Sequence, residues 1–88
     1  MAPLKPEEPL ETAVRTAGGR VVAALAARYR DLDIAEEAFG ESCARAAAHW
    51  REAGPPADPA AWLYRTADRA ALDLIRKRQV RARLAPEP

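Results

Sequence analysis

The chain is poor in most of what builds a catalytic site, a sheet or a membrane span. Its 88 residues hold one cysteine (Cys43), one histidine (His49) and one phenylalanine (Phe39). A lone cysteine excludes an intramolecular disulfide. Cys43 and His49 stand six positions apart and on different sides of a helical wheel, which does not make a metal site. No paired-carboxylate cleft and no nucleophile–base set can be read from the residues. Gly18-Gly19 lacks the spacing and the preceding strand that a dinucleotide site needs. Neither an enzyme nor a cofactor is therefore expected. No stretch alternates Val, Ile and Thr as a strand would. The longest apolar run, residues 21–27, is far below the roughly 20 residues of a bilayer span. The Pro- and Glu-rich N-terminus is no signal peptide. These absences predict a soluble, cytoplasmic domain without a membrane partner.

What the chain has in quantity is alanine. Apolar residues make up 49% of the sequence, and 22 of them are Ala. Large core side chains are correspondingly few, so stability rests on close helix packing or on a partner. Ala, Leu, Arg and Glu together favour helix.

Helical spacing of Leu10, Val14, Val22, Leu25, Ala26 and Tyr29 predicts a first helix from Leu10 to Tyr29, preceded by an extended or disordered arm over residues 1–9. Gly18-Gly19 opens this helix to a kink or a split. Asp33 with Glu36 reads as a capping-box-like start of a second helix ending near Arg51. Its apolar stripe is Ala35, Ala38/Phe39, Ser42/Cys43, Ala46 and Trp50. A loop rich in Gly and Pro follows, with Trp50 and Trp62 flanking it. Asp58 then caps a third helix that has Pro59 at its first position and ends near Arg81. Leu63, Thr66/Ala67, Ala70 and Leu74 form its buried stripe. The predicted fold is all-α: a compact three-helix bundle over residues 10–84, with residues 85–88 frayed.

The net charge is only +1, but its distribution is uneven. Residues 31–41 contain five acids and no base; residues 65–83 contain seven bases and two acids. Asp33, Glu37 and Glu41 recur at every fourth position with Glu36 alongside, an exposed acidic ridge suited to a basic protein surface. The plainer reading is that acids near a helix N-terminus favour its dipole, which accounts poorly for Glu41. Arg65, Arg69, Arg76 and Lys77 suit phosphates, and Tyr64 suits stacking on a base. The plainer reading there is a solvated basic helix end. Trp62 is expected to pack beneath the loop, and Asp73 to pair with Lys77 at i,i+4.

Several of these residues carry a resemblance. Arg28-Tyr29-Arg30-Asp31-Leu32-Asp33-Ile34-Ala35-Glu36-Glu37-Ala38, then Trp50, then Pro59-Ala60-Ala61-Trp62-Leu63, Thr66-Ala67 and Ala71-Leu72-Asp73-Leu74-Ile75-Arg76, resemble region 2 of a bacterial RNA polymerase sigma factor. The extracytoplasmic-function (group IV) type is the nearest group. The resemblance implies a helical domain that binds core RNA polymerase, at the clamp helices of its largest subunit, through Asp33, Glu36, Glu37 and Glu41. It implies binding of minus-ten promoter DNA through Tyr64, Arg65, Arg69, Arg76 and Lys77, with the loop between Gly54 and Asp58 receiving an unstacked base. An anti-sigma factor is a further partner that it admits. Three positions depart from the family's pattern. Gly40 stands where an amide or acid is usual, and Asp68 and Ala70 stand where basic or Asn side chains are common. No helix-turn-helix domain follows within the 88 residues, so the region is expected to bind polymerase but to recognise promoters poorly alone. The alternative is a sigma-like interaction module that binds polymerase, or self-associates, without promoter recognition.

Overall fold

A computed structural model of the chain describes residues 7–86. Three helices follow one another: α1 (Glu7–Tyr29), α2 (Leu32–Ala53) and α3 (Pro59–Leu84). Neighbouring helices run antiparallel, so that the end of α2 lies beside the start of α3 and the end of α1 beside the start of α2. The expected all-α three-helix bundle is the observed one, and no strand occurs among the described residues.

Helix α1 departs from its sequence-based outline in three ways. It starts at Glu7, so residues 7–9 belong to its first turn and not to an extended arm. Pro9 is tolerated there because first-turn N–H groups have no intrahelical acceptor, and Glu8 and Glu11 complement the positive end of the dipole. Residues 1–6 of the expected arm, like residues 87–88 of the expected frayed end, lie outside the described residues. Second, α1 does not split at Gly18-Gly19 but continues through both. Gly18 is buried, and a Cβ there would sit 3.2 Å from Cζ of Phe39 on α2. The missing side chain makes room for that ring. Third, the buried row is Ala13, Ala17, Val21 and Leu25, one i,i+4 line, while Val14 is 37% exposed.

The join between α1 and α2 explains why Asp31, and not Asp33, caps the second helix. Arg30 takes the left-handed conformation (φ 54°), and the N–H of Asp31 donates back to the carbonyl of Ala26 at 3.3 Å. This is the closing bond of a Schellman-type helix end. Asp31 emerges extended (φ −154°, ψ 106°), and its Oδ1 accepts the N–H of Ile34 at 2.9 Å. Asp33 is left in the first turn. The bond from Ile34 and the neighbouring Arg78 guanidinium, 3.0 Å from Oδ2, hold the Asp31 carboxyl below its ordinary value.

At the far end of α2, Gly54 adopts φ 81°, a conformation that favours glycine, and donates its N–H to the carbonyl of Trp50 at 2.9 Å. Asp58 caps α3 as its sequence predicts, accepting the N–H of Ala61 at 3.1 Å with Pro59 at the first helical position. Both helices run slightly past their expected ends.

The core forms three layers along the bundle. Ala13, Ala46, Trp50 and Leu63 make the first, Val21, Leu25, Ala35 and Ala67 the second, and Ile34, Ala38, Ala70 and Ala71 the third. Ser42, fully buried, donates its hydroxyl to the carbonyl of Phe39 at 2.6 Å. Cys43 is half-buried against the first layer, and burial pushes its thiol pKa up.

The glycines predict opposite responses to one substitution. Nothing lies within 4 Å of a Cβ added at Gly19 or Gly40. Gly19→Ala and Gly40→Ala should therefore each stabilise the domain by about 0.4–1 kcal/mol. Gly18→Ala should gain nothing or lose stability, because Phe39 must move. Urea midpoints of the three variants check this.

Candidate polymerase and nucleic-acid interfaces

The candidate residues occupy the outward sides of α2 and α3, because both inward sides are committed to the core. On α2 the buried positions are Ile34, Ala35, Ala38, Ser42, Ala46 and Trp50. Asp33, Glu36 and Glu37 are exposed, and among the described residues none of the three has an ion-pair partner. Glu41 differs from them: its Oε1 lies 2.7 Å from Nη2 of Arg45, one helical turn on.

On α3 the buried positions are Leu63, Ala67, Ala70 and Ala71. Arg65, Arg69 and Arg76 are exposed and have no ion-pair partner among the described residues. Lys77 is exposed, with Nζ 3.0 Å from Asp73, the i,i+4 pair its sequence predicts. Tyr64 is half-buried against the layer of Val21, Leu25, Ala35 and Ala67. Its ring serves packing, which reduces the face it offers for stacking.

Neither the acidic nor the basic candidate set pairs with the other. The cross-helix ion pair between α3 and the start of α2 is made by residues outside both sets, Arg78 and Asp31 at 3.0 Å, while Arg45 meets Glu41 within α2.

The structure also accounts for two positions that depart from the expected pattern. Asp68 is not displayed on the basic side of α3. Its Oδ1 accepts the hydroxyl of Tyr29 at 2.5 Å and lies 3.2 Å from Nε of Arg28, both on α1. Arg28 Nε also donates to the tyrosine oxygen at 3.1 Å. The acid is thus neutralised where α1 meets α3. Ala70 is 2% exposed, so a larger side chain there would meet the core, not a ligand.

Sequence reasoning missed a second basic element. The i,i+4 row of Asp33, Glu37 and Glu41 on α2 continues into Arg45 and His49, where its sign reverses. His49 lies nearly parallel to Trp62 of α3 (11°, centroids 6.1 Å apart). Trp62 in turn makes an edge-to-face contact with buried Trp50, centroids 5.3 Å apart and planes at 71°. Trp62 is thus part of an aromatic stack against the first core layer. Nε1 of Trp50 is buried without a hydrogen-bond partner among the described residues. Arg45, His49, Trp62, Thr66 and Arg69 together line a groove of about 310 Å³ between α2 and α3. Continuing the four-residue count past Glu41 was the available signal.

The bundle thus carries an acidic row on one helix and, on the next, arginines without ion-pair partners among the described residues. The chain belongs to the sigma-70 region 2 family: the family model described as "Sigma-70 region 2" matches residues 13–81. That is a family of transcription-initiation factors, whose region 2 acts in general with core RNA polymerase and promoter DNA. An uncharacterized protein of Rhizobium meliloti (strain 1021) is 40% identical over 78 residues, covering 89% of this chain. The chain spans 18% of that relative's length. No solved structure was found to match. No helix among the described residues is long and apolar enough to cross a membrane.

The cluster of Arg28, Tyr29 and Asp68 makes stability depend on alkaline pH. Burial, and secondarily the bond to Asp68, raises the Tyr29 phenol above its ordinary value. A raised folded-state pKa gives stability that is complete below the unfolded value, about 10, and declines as pH rises through the folded one. Urea midpoints across pH 8–11 should fall more steeply in the native chain than in Tyr29→Phe. The variant should start lower, because it lacks the bond to Asp68.

Proposed function

We propose that this region 2 domain is of the extracytoplasmic-function type and joins two partners of opposite charge. Asp33, Glu36, Glu37 and Glu41 form the polymerase side, received by the clamp helices of the largest subunit. Arg65, Arg69 and Arg76, with Lys77 and Tyr64 at their margins, form the side for the minus-ten element. The observation that carries the reading is the segregation of exposed charge: Asp33, Glu36 and Glu37 on α2, and Arg65, Arg69 and Arg76 on α3, have no ion-pair partners among the described residues. Like charges held in a row repel mildly, and an oppositely charged partner removes that repulsion and speeds encounter. A domain that works with polymerase and promoter acts in the cytoplasm. An anti-sigma factor would compete for the same acidic or basic residues.

The reading without promoter recognition leans partly on Asp68 and Ala70. Asp68 is held by Tyr29 and Arg28, and Ala70 is under α2, so neither is an obstacle on the basic side.

Two measurements test this reading. The double charge reversal Glu36→Lys/Glu37→Lys should weaken binding to core polymerase at least tenfold while leaving DNA binding unchanged; unaltered polymerase affinity removes the acidic row from the interface. Replacing Arg65, Arg69 and Arg76 by Gln should weaken binding of single-stranded minus-ten DNA. It should also flatten the plot of log K against log salt by about 2, at roughly 0.7 for each phosphate no longer neutralised. An unchanged slope puts DNA on another surface, and no DNA binding by the native chain favours the module without promoter recognition.

A further inference from the structure

We propose that the end of α3, residues 76–84, docks on the start of α2 of a second copy of this chain, joining copies head to tail. The contact goes beyond the reading above and rests on it only for its consequence: it covers Asp33, Glu36 and Glu37, the residues offered to polymerase.

Residues 76–84 form helix without a core behind them. Beyond Ile75 every described residue of the chain is exposed. Along this segment Val80 (48% exposed) and Leu84 (79%) stand one helical turn apart, among Arg76, Lys77, Arg81 and Arg83. Arg76, Lys77, Val80 and Arg81 line a shallow groove of about 410 Å³. The phosphates of a nucleic acid would engage the cations alone. Two exposed aliphatic anchors in the same stripe call for an apolar contact as well. The stripe therefore fits an acidic surface that carries an aliphatic side chain.

Such a surface is present on this chain. At the start of α2, Leu32 is 56% exposed beside Asp33, Glu36 and Glu37, three acids without an ion-pair partner among the described residues. One copy cannot satisfy itself. Arg78 faces Asp31 of α2 at 3.0 Å, and Val80 lies about 160° away from Arg78 around the helix, at roughly 100° per residue. The stripe thus looks away from its own α2. The two complementary surfaces point in different directions, so contact between copies is heterologous and gives open chains, not a closed pair. A patch of about two turns belongs to the small class of interfaces, below roughly 1,200 Å² in total, so association is weak and depends on concentration. A copy whose α2 row is covered must dissociate before polymerase takes that row, so self-association opposes polymerase binding at high concentration.

Sedimentation velocity of the full chain, without polymerase or DNA, tests the contact. The weight-average sedimentation coefficient should rise with concentration at low salt. It should return to the monomer value as NaCl is raised from about 0.02 to about 0.5 M, where screening shortens the reach of charge. Glu36→Lys/Glu37→Lys and Arg76→Glu/Arg81→Glu should each stay monomeric, because like charges then meet, whereas an equimolar mixture of the two should associate. Val80→Ser/Leu84→Ser should weaken self-association about tenfold, the loss of partly buried aliphatic contacts. All of these positions are exposed, and circular dichroism checks that each variant keeps its helices. A native chain that stays monomeric up to millimolar concentration overturns the proposal and leaves the reading toward polymerase and promoter to its own binding tests. If the native chain associates but the mixture of charge variants does not, the contact lies elsewhere and this pairing is overturned. If the serine variant associates like the native chain but loses affinity for phosphatidylglycerol vesicles, the stripe belongs to a lipid surface and the second copy is overturned.

Discussion

Alanine at the helix interfaces is the constraint on which the rest depends. Among the described residues 13 apolar side chains are buried, and Ala13, Ala17, Ala35, Ala38, Ala46, Ala67, Ala70 and Ala71 are eight of them. Methyl groups let helix axes approach to about the lower end of the 8–10 Å range, and Gly18 extends the same device to the ring of Phe39. Only a few large side chains, Trp50, Leu25 and Leu63 among them, are then needed to fill the space between. A core this thin has no room for charge, so the charged residues are pushed to its margins and outward sides.

Where the charges fall follows from the register of each helix. The row starting at Asp33 is outward because Ile34, Ala35 and Ala38 are inward. Arg65, Arg69 and Arg76 are outward because Leu63, Ala67 and Ala70 are inward. Acids that would spoil the basic side are held where helices meet instead, Asp68 by Tyr29 and Arg28, and Asp31 by its capping bond and Arg78. Surfaces of opposite charge thus arise from a single packing scheme, and the α2 row itself changes sign between Glu41 and Arg45.

The parts legible in the sequence were those governed by neighbours along the chain. Asp58-Pro59 announces the start of α3 by local capping chemistry, and the Ala35–Trp50 stripe follows from helical periodicity. The i,i+4 pair of Asp73 and Lys77 is of the same kind. Illegible features depended on a partner distant in sequence. Gly18 reads as a break until the ring of Phe39 is brought against it. Asp33 reads as the cap of α2 until the left-handed turn at Arg30 and the guanidinium of Arg78, 47 residues away, select Asp31. Asp68 looks like an obstacle to DNA until Tyr29, 39 positions earlier, is seen to hold it. Of the candidate site, the acidic row and the three arginines were visible as patterns, whereas the groove joining Arg45 and His49 to Trp62 and Arg69 exists only once α2 and α3 are packed.

The central claim is that opposite charges on two helices let the domain hold two partners at once. Its most direct test is to titrate core RNA polymerase into the domain already saturated with a fluorescent single-stranded minus-ten oligonucleotide, and to follow both components by analytical ultracentrifugation. The account predicts one ternary species, with polymerase binding as tightly as, or more tightly than, it does to the domain without DNA. Stoichiometric release of the oligonucleotide as polymerase binds would contradict it, because the two partners would then share one surface.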